Sequence, residues 1–195
     1  MKKLSLLALI VAVFFMQAAV SGRDYQKSGA TLKGDTAKKS SQIKIEVKEL
    51  EASKVLAIKA TVKSNEVGAK MGELYPRLMK CLNESGIEMT GPPYSKYYTW
   101  DPEGETEMEV GIPVSGPAEC EEDIEYIELP PSKVVTAMHI GPYEKIGPVY
   151  DAIQKYINEN GMIIAGAVWE VYITDPNSEP DPEKYKTQVY FPVSN

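Results

Sequence analysis

The sequence predicts an α+β domain with one antiparallel sheet and two helices. A strand–helix–strand–strand unit occurs twice about a pseudo-twofold axis. Three observations carry that reading. The chain repeats itself: residues 54–59 (KVLAIK) return as 133–138 (KVVTAM), and residues 110–115 (VGIPVS) return as 189–194 (VYFPVS), each 79 positions later. Within each copy, runs of alternating apolar and polar residues read as strands. Between those runs, apolar residues spaced by three and four read as one amphipathic helix per copy.

The first copy covers about residues 43–116. Ile43, Ile45 and Val47 alternate with polar residues, and the apolar run 55–58 follows, giving strand material. Val67, Met71, Leu74, Tyr75, Leu78, Met79 and Leu82 then form a helical stripe that Gly86 terminates. Gly91, Pro92 and Pro93 make a turn, the aromatic-rich run 94–100 a strand, residues 101–104 a second turn, and Met108, Val110 and Ile112 a closing strand.

The second copy covers about residues 124–195 in the same order. Runs 124–129 and 134–140 are strands. Ile146, Val149, Tyr150, Ile153 and Ile157 give the helical stripe, with Pro148 tolerated near its start and Gly161 past its end. Strands at 168–174 and 187–193 enclose a long turn at 175–182. The repeat offset drops to 75 where residues 82–86 (LNESG) return as 157–161 (INENG). The four-residue difference is absorbed in loops. The seam between two such half-domains is a natural place for a ligand.

With 195 residues, 43% of them hydrophobic, the chain suits one globular domain. Its net charge of −7 argues against nucleic acid as a partner, because such binding needs a basic surface. Lys2 and Lys3 precede a nearly unbroken apolar run to Ala19, and Ala19 and Ser21 supply small residues for cleavage before Gly22. Residues 1–21 therefore read as a secretory signal, with an uncleaved anchor helix as the alternative. On the first reading the protein is periplasmic or extracellular, with no stable membrane span after cleavage. Residues 22–42, polar and rich in Gly, Ser and Lys, read as a flexible linker to a domain at 43–195. Export permits a Cys81–Cys120 disulfide, and two unpaired thiols are the alternative. Oligomeric state is not legible.

The copies are most informative where they differ. Ser95 of the first stands where Glu170 stands in the second, inside the apolar, aromatic run 168–173. Strand parity puts Val168, Glu170 and Tyr172 on one face and Trp169, Val171 and Ile173 on the other. Glu170 is either a solvated residue on an open face or a carboxylate in a cavity. In a cavity it would attract a cation, aided by ring contacts worth about 0.5–2 kcal/mol each. Other candidates for lining a pocket are Tyr190, on a strand expected beside that of Glu170, Tyr97, the repeat partner of Tyr172, Tyr143, at a strand-to-helix turn, and Trp169. His139 is the only histidine, and next to Gly141 and Pro142 it reads as structural. No metal-ligand cluster, nucleophilic triad or phosphate loop is visible, so no metal and no cofactor are expected. The acidic run 119–123 reads as a solvated linker.

The ordered set of residues 139–143 (HIGPY), 168–176 (VWEVYITDP) and 187–193 (TQVYFPV) resembles the GyrI-like family of effector-binding domains. The resemblance covers about residues 43–195. It implies a curved sheet around a pocket for hydrophobic or cationic molecules, with the carboxylate at Glu170 contacting the ligand. Family relatives that regulate transcription carry a DNA-binding domain ahead of this module. Here a signal segment stands in that place, which speaks against a DNA role. Some relatives are hydrolases of strained, cyclopropane-bearing compounds, and in that reading Glu170 is the general base. The haem-binding SOUL family is also similar in fold, which gives a weaker tetrapyrrole reading.

Overall fold

The computed structural model describes residues 43–194. The signal segment and the linker lie outside the described residues. The chain forms β1 (Ile45–Leu50), β2 (Ser53–Lys63), α1 (Val67–Ser85), β3 (Tyr94–Tyr97), β4 (Glu105–Pro113), β5 (Glu125–Leu129), β6 (Ser132–Ile140), α2 (Gly147–Glu159), β7 (Ile163–Ile164), β8 (Val168–Tyr172) and β9 (Lys186–Ser194). The leading strand material of each copy resolves into two strands, and β7 is a short addition that pairs with β9.

All strands pair antiparallel in one curled, half-barrel sheet of order β1-β6-β9-β8-β3-β4-β2-β5. This order is a palindrome of the two repeats, so the pseudo-twofold axis lies between β8 and β3. The register obeys it: Val55 faces Pro113 and Ile127, while 79 positions on Val134 faces Pro192 and Lys48. The first strand of each repeat is exchanged. β1 pairs with β6 of the second copy, and β5 pairs with β2 of the first. Neither repeat completes its sheet alone.

Strands β3 and β8 end earlier than the sequence suggests, at Tyr97 and Tyr172, for one reason. Tyr98 and Thr99 both donate their N–H to Glu107 O, and Ile173 and Thr174 both donate to Lys186 O. Two residues then oppose one, the ladder is interrupted, and the chain bends away. The same bulge in both copies is a repeat at the level of hydrogen bonds.

Both helices lie on one face of the sheet. Helix α1 buries Met71, Leu74, Leu78 and Leu82 against Leu56, Ile58, Met108 and Val110. Gly86 caps it with a φ of 70° and an N–H bonded to Leu82 O. Helix α2 buries Val149, Ile153 and Ile157 against Val135, Ala137, Val189 and Phe191. Pro148 sits in its first turn, where the missing N–H is unneeded. On this face the described residues form two cores rather than one, with the middle strands β3 and β8 between them, and a smaller cluster of Val55, Ala57 and Tyr94 lies on the other face. On the other face, Tyr94 lies across Gly111, where an added Cβ would come within 2.4 Å of the ring. That close approach lets Tyr94 donate to the buried Glu109 carboxylate at 2.6 Å.

Cys81 of α1 and Cys120 of the inter-repeat segment form a disulfide with a Cα–Cα distance of 5.5 Å. The acidic run is held to the same helix, since Arg77 bonds Glu121 and Asp123. The bridge closes a loop of 39 residues. By loop entropy it contributes about 3–4 kcal/mol. We expect reduction, or Cys120→Ala, to lower the unfolding free energy by that scale in a urea titration, with a lower midpoint. An unchanged midpoint would exclude a stabilising bridge.

Candidate functional site

The gap between the two cores is floored by one cross-strand row: Ile58, Val110, Ser95, Glu170, Val189, Ala137 and Ile45. Ser95 and Glu170 are direct partners at its centre. They are also repeat equivalents, so the pseudo-twofold axis passes between them. Both side chains point to the helix face, and each is met by a tyrosine from its own repeat's helix. Tyr75 of α1 donates to Tyr94 O at 2.7 Å and lies 3.1 Å from Ser95 Oγ. Tyr150 of α2 donates to Glu170 Oε1 at 2.8 Å. Tyr172 donates to Glu170 Oε2 at 3.0 Å.

Further rings close the cluster. Tyr172 makes edge-to-face contacts with Tyr75, at 6.4 Å between centroids, and with Tyr143, at 5.6 Å. Tyr143 also leans on Tyr185, and Tyr150 on Phe191. Tyr97 sits two residues beyond Ser95 on the same face, at the place equivalent to Tyr172. Tyr97, Tyr143, Tyr150, Glu170 and Tyr172 all keep some exposed surface, whereas Tyr75 and Ser95 are buried.

Burial pushes the Glu170 carboxyl above the ordinary carboxylate range, and the hydrogen bonds from Tyr150 and Tyr172 pull in the other direction. Burial also raises the Tyr75, Tyr97, Tyr150 and Tyr172 hydroxyls far above their ordinary value and lifts Tyr143 to about 12, so all five tyrosines are neutral donors at physiological pH. The ion pairs among the described residues all lie elsewhere. Glu170 is thus a largely desolvated carboxylate with two neutral hydroxyl donors, ringed by aromatic faces and edges, and with no cationic partner among the described residues. Such an arrangement can bind a cation by charge and by ring quadrupole together. It can also hold a carboxyl poised to move a proton.

Of the residues singled out in the sequence, the structure brings Glu170, Tyr172, Tyr97 and Tyr143 together. It does not bring Tyr190 or Trp169. These two pair across β8 and β9 and stack at 5.4 Å on the helix-free face, with Lys96 over the indole. Strand β9 does neighbour β8 as expected, but Val189, not Tyr190, stands opposite Glu170. In the sequence, Tyr75 and Tyr150 stand only as members of the helical stripes. Their separation of 75 positions, the same as that of Tyr97 and Tyr172, was the signal that could have found them. His139 is buried and donates from Nε2 to Pro142 O at 2.9 Å, a structural bond at the entrance to α2. A depression of about 350 Å³ lined by Ile140, Thr174, Glu179 and Lys186 lies at the far end of β6 and β9 and shares none of the site residues.

The family model of the GyrI-like small molecule binding domain matches residues 43–194. Among solved structures, the EcmrR C-terminal domain is similar with a TM-score of 0.70 and 21% identity, over 79% of this chain and 99% of that one. The protein SAV2435, solved bound to tetraphenylphosphonium, is similar at a TM-score of 0.56 and 17% identity, over 78% and 94%. A hydrolase encoded by lin2189 from Listeria innocua gives 0.54 and 12%, over 77% and 92%. No curated protein matches.

A carboxyl whose folded-state pKa is raised stabilises the fold at low pH and loses that contribution as pH climbs from the usual glutamate value, about 4.3, through the folded one. We expect Glu170→Gln to be more stable than the native protein at neutral pH, with the gain vanishing near pH 4. Denaturation midpoints of both forms across pH check this. A difference that does not vary with pH would mean that burial does not raise this carboxyl.

Proposed function

The chain belongs to the GyrI-like small-molecule-binding family, and on that footing we propose that it captures a lipophilic cation in the gap between its two helices. Glu170 supplies the counter-charge. Tyr75, Tyr97, Tyr143, Tyr150 and Tyr172 supply ring surface that a diffuse organic cation can replace water with. The observation that carries this reading is the largely buried carboxylate with no cationic partner among the described residues. An unpaired buried charge is unfavourable, and a bound cation removes that penalty. The tetraphenylphosphonium bound by SAV2435 is a ligand of this chemistry. With a signal segment at residues 1–21, capture would take place outside the cytoplasm. Mass measurement of the mature N-terminus, expected at Gly22, tests that part.

A second reading is favoured by the raised Glu170 carboxyl. Held by two tyrosine hydroxyls, it suits a general base that activates water, and the Listeria hydrolase is a relative in fold. Turnover of a strained cyclopropane-bearing substrate, abolished in Glu170→Gln, would establish it.

For the binding reading, we expect Glu170→Gln to weaken tetraphenylphosphonium at least about tenfold, the scale of a lost charge-assisted contact. Binding of neutral triphenylphosphine oxide should barely change. Calorimetric titration of both compounds checks this, and equal loss for both would remove the charge role.

A further inference from the structure

Beside the row that carries Glu170 runs a second row on the same face, and it is more polar in one repeat than in the other. In the second repeat it reads Tyr172, Thr187 and His139 across β8, β9 and β6. In the first it reads Tyr97, Met108 and Ala60 across β3, β4 and β2. The fold is therefore content with a thioether and a methyl at these places. Thr187 is 0% exposed, and its Oγ1 is buried without a hydrogen-bond partner among the described residues. His139, its pair on β6, directs its Nε2 proton to Pro142 O, and no hydrogen bond joins it to Thr187 Oγ1. A buried hydroxyl left unbonded is destabilising, and an apolar residue of the same shape would avoid that penalty.

The position of this hydroxyl gives it a use. Thr187 pairs with Tyr172, two residues from Glu170, so it is the diagonal neighbour of Glu170 across β8 and β9. Such neighbours stand roughly 7 Å apart. That span fits a cationic centre against the carboxylate and an oxygen a few bonds along the same ligand against the hydroxyl. We propose that Thr187 Oγ1 is a second anchor of the Glu170 pocket, and that the preferred ligand is an organic cation bearing a carbonyl oxygen. Thr187 has no exposed surface of its own, so engaging it requires the side chains packed over it to turn aside as the ligand enters. Glu170 and Thr187, two of the polar residues that break the repeat, then read the two ends of one molecule.

The proposal rests on Glu170 as the counter-charge, and one experiment separates the two. The full chain is titrated with benzoylcholine and with (4-phenylbutyl)trimethylammonium, cations of equal chain length of which only the first carries a carbonyl. The native protein should prefer benzoylcholine. Thr187→Val should weaken benzoylcholine roughly five- to tenfold and leave the other cation unchanged, the scale of one neutral hydrogen bond. Its melting temperature should hold or rise, which shows that the variant is folded. Glu170→Gln should weaken both cations alike. A preference that survives Thr187→Val, or equal loss of both cations in that variant, overturns the second anchor alone. Survival with a lowered melting temperature would assign the hydroxyl to a buried water. No effect of Glu170→Gln, or no binding of either cation by the native protein, overturns the counter-charge and the anchor together.

Discussion

Two repeats become one sheet through the ladder between β3 and β8, in which Ser95 stands opposite Glu170. That register fixes which residues face the helices. Side chains alternate along a strand, so a slip of one residue in β8 would carry Glu170 to the helix-free face and bring Trp169 inward. The helices could not follow, because Tyr75 and Tyr150 each reach the centre from a fixed place in a packed stripe. Everything that makes the site, from the tyrosine donors to the burial of the carboxyl, depends on this short antiparallel pairing.

The same pairing explains why the duplication is broken in chemistry at its centre. Repeat-equivalent residues that straddle a twofold axis are also direct cross-strand partners, with Cβ atoms about 4.5–5.5 Å apart. Two glutamates there would set like charges against each other in a poorly solvated gap, and one would be forced to hold its proton. Serine at position 95 removes the conflict. It leaves one carboxylate among five neutral tyrosine hydroxyls, with no cationic partner among the described residues. The tyrosines have kept their symmetry because neutral rings do not repel, whereas the ionisable position has not.

Exchange of the leading strands makes this arrangement durable. β1 and β5 each complete the other repeat's half, so neither half can open without losing an edge strand of its partner. The Cys81–Cys120 bridge and the Arg77 ion pairs then fasten the segment that leads into β5 onto α1. Helix α1 is also the element that presents Tyr75. The supports of the fold and the supports of the site are the same contacts, consistent with a pocket formed before its ligand arrives.

Much of this was written in the chain order. The matched runs at 54–59 and 133–138, and at 110–115 and 189–194, specified two copies of one unit, because local alternation and helical spacing are properties of neighbouring residues. Glu170 stood out because it interrupts an apolar strand. Strand parity alone also placed Trp169 on the face away from it. What only the tertiary structure decided was which strands pair across the copies. That choice put Val189 rather than Tyr190 beside Glu170, crossed β1 and β5, and ended β3 and β8 at matching bulges. It also drew Tyr75 to Ser95 and Tyr150 to the carboxylate, and left the Thr187 hydroxyl without a partner among the described residues. Register and helix placement arise from contacts between residues far apart in the chain, and no local pattern encodes them.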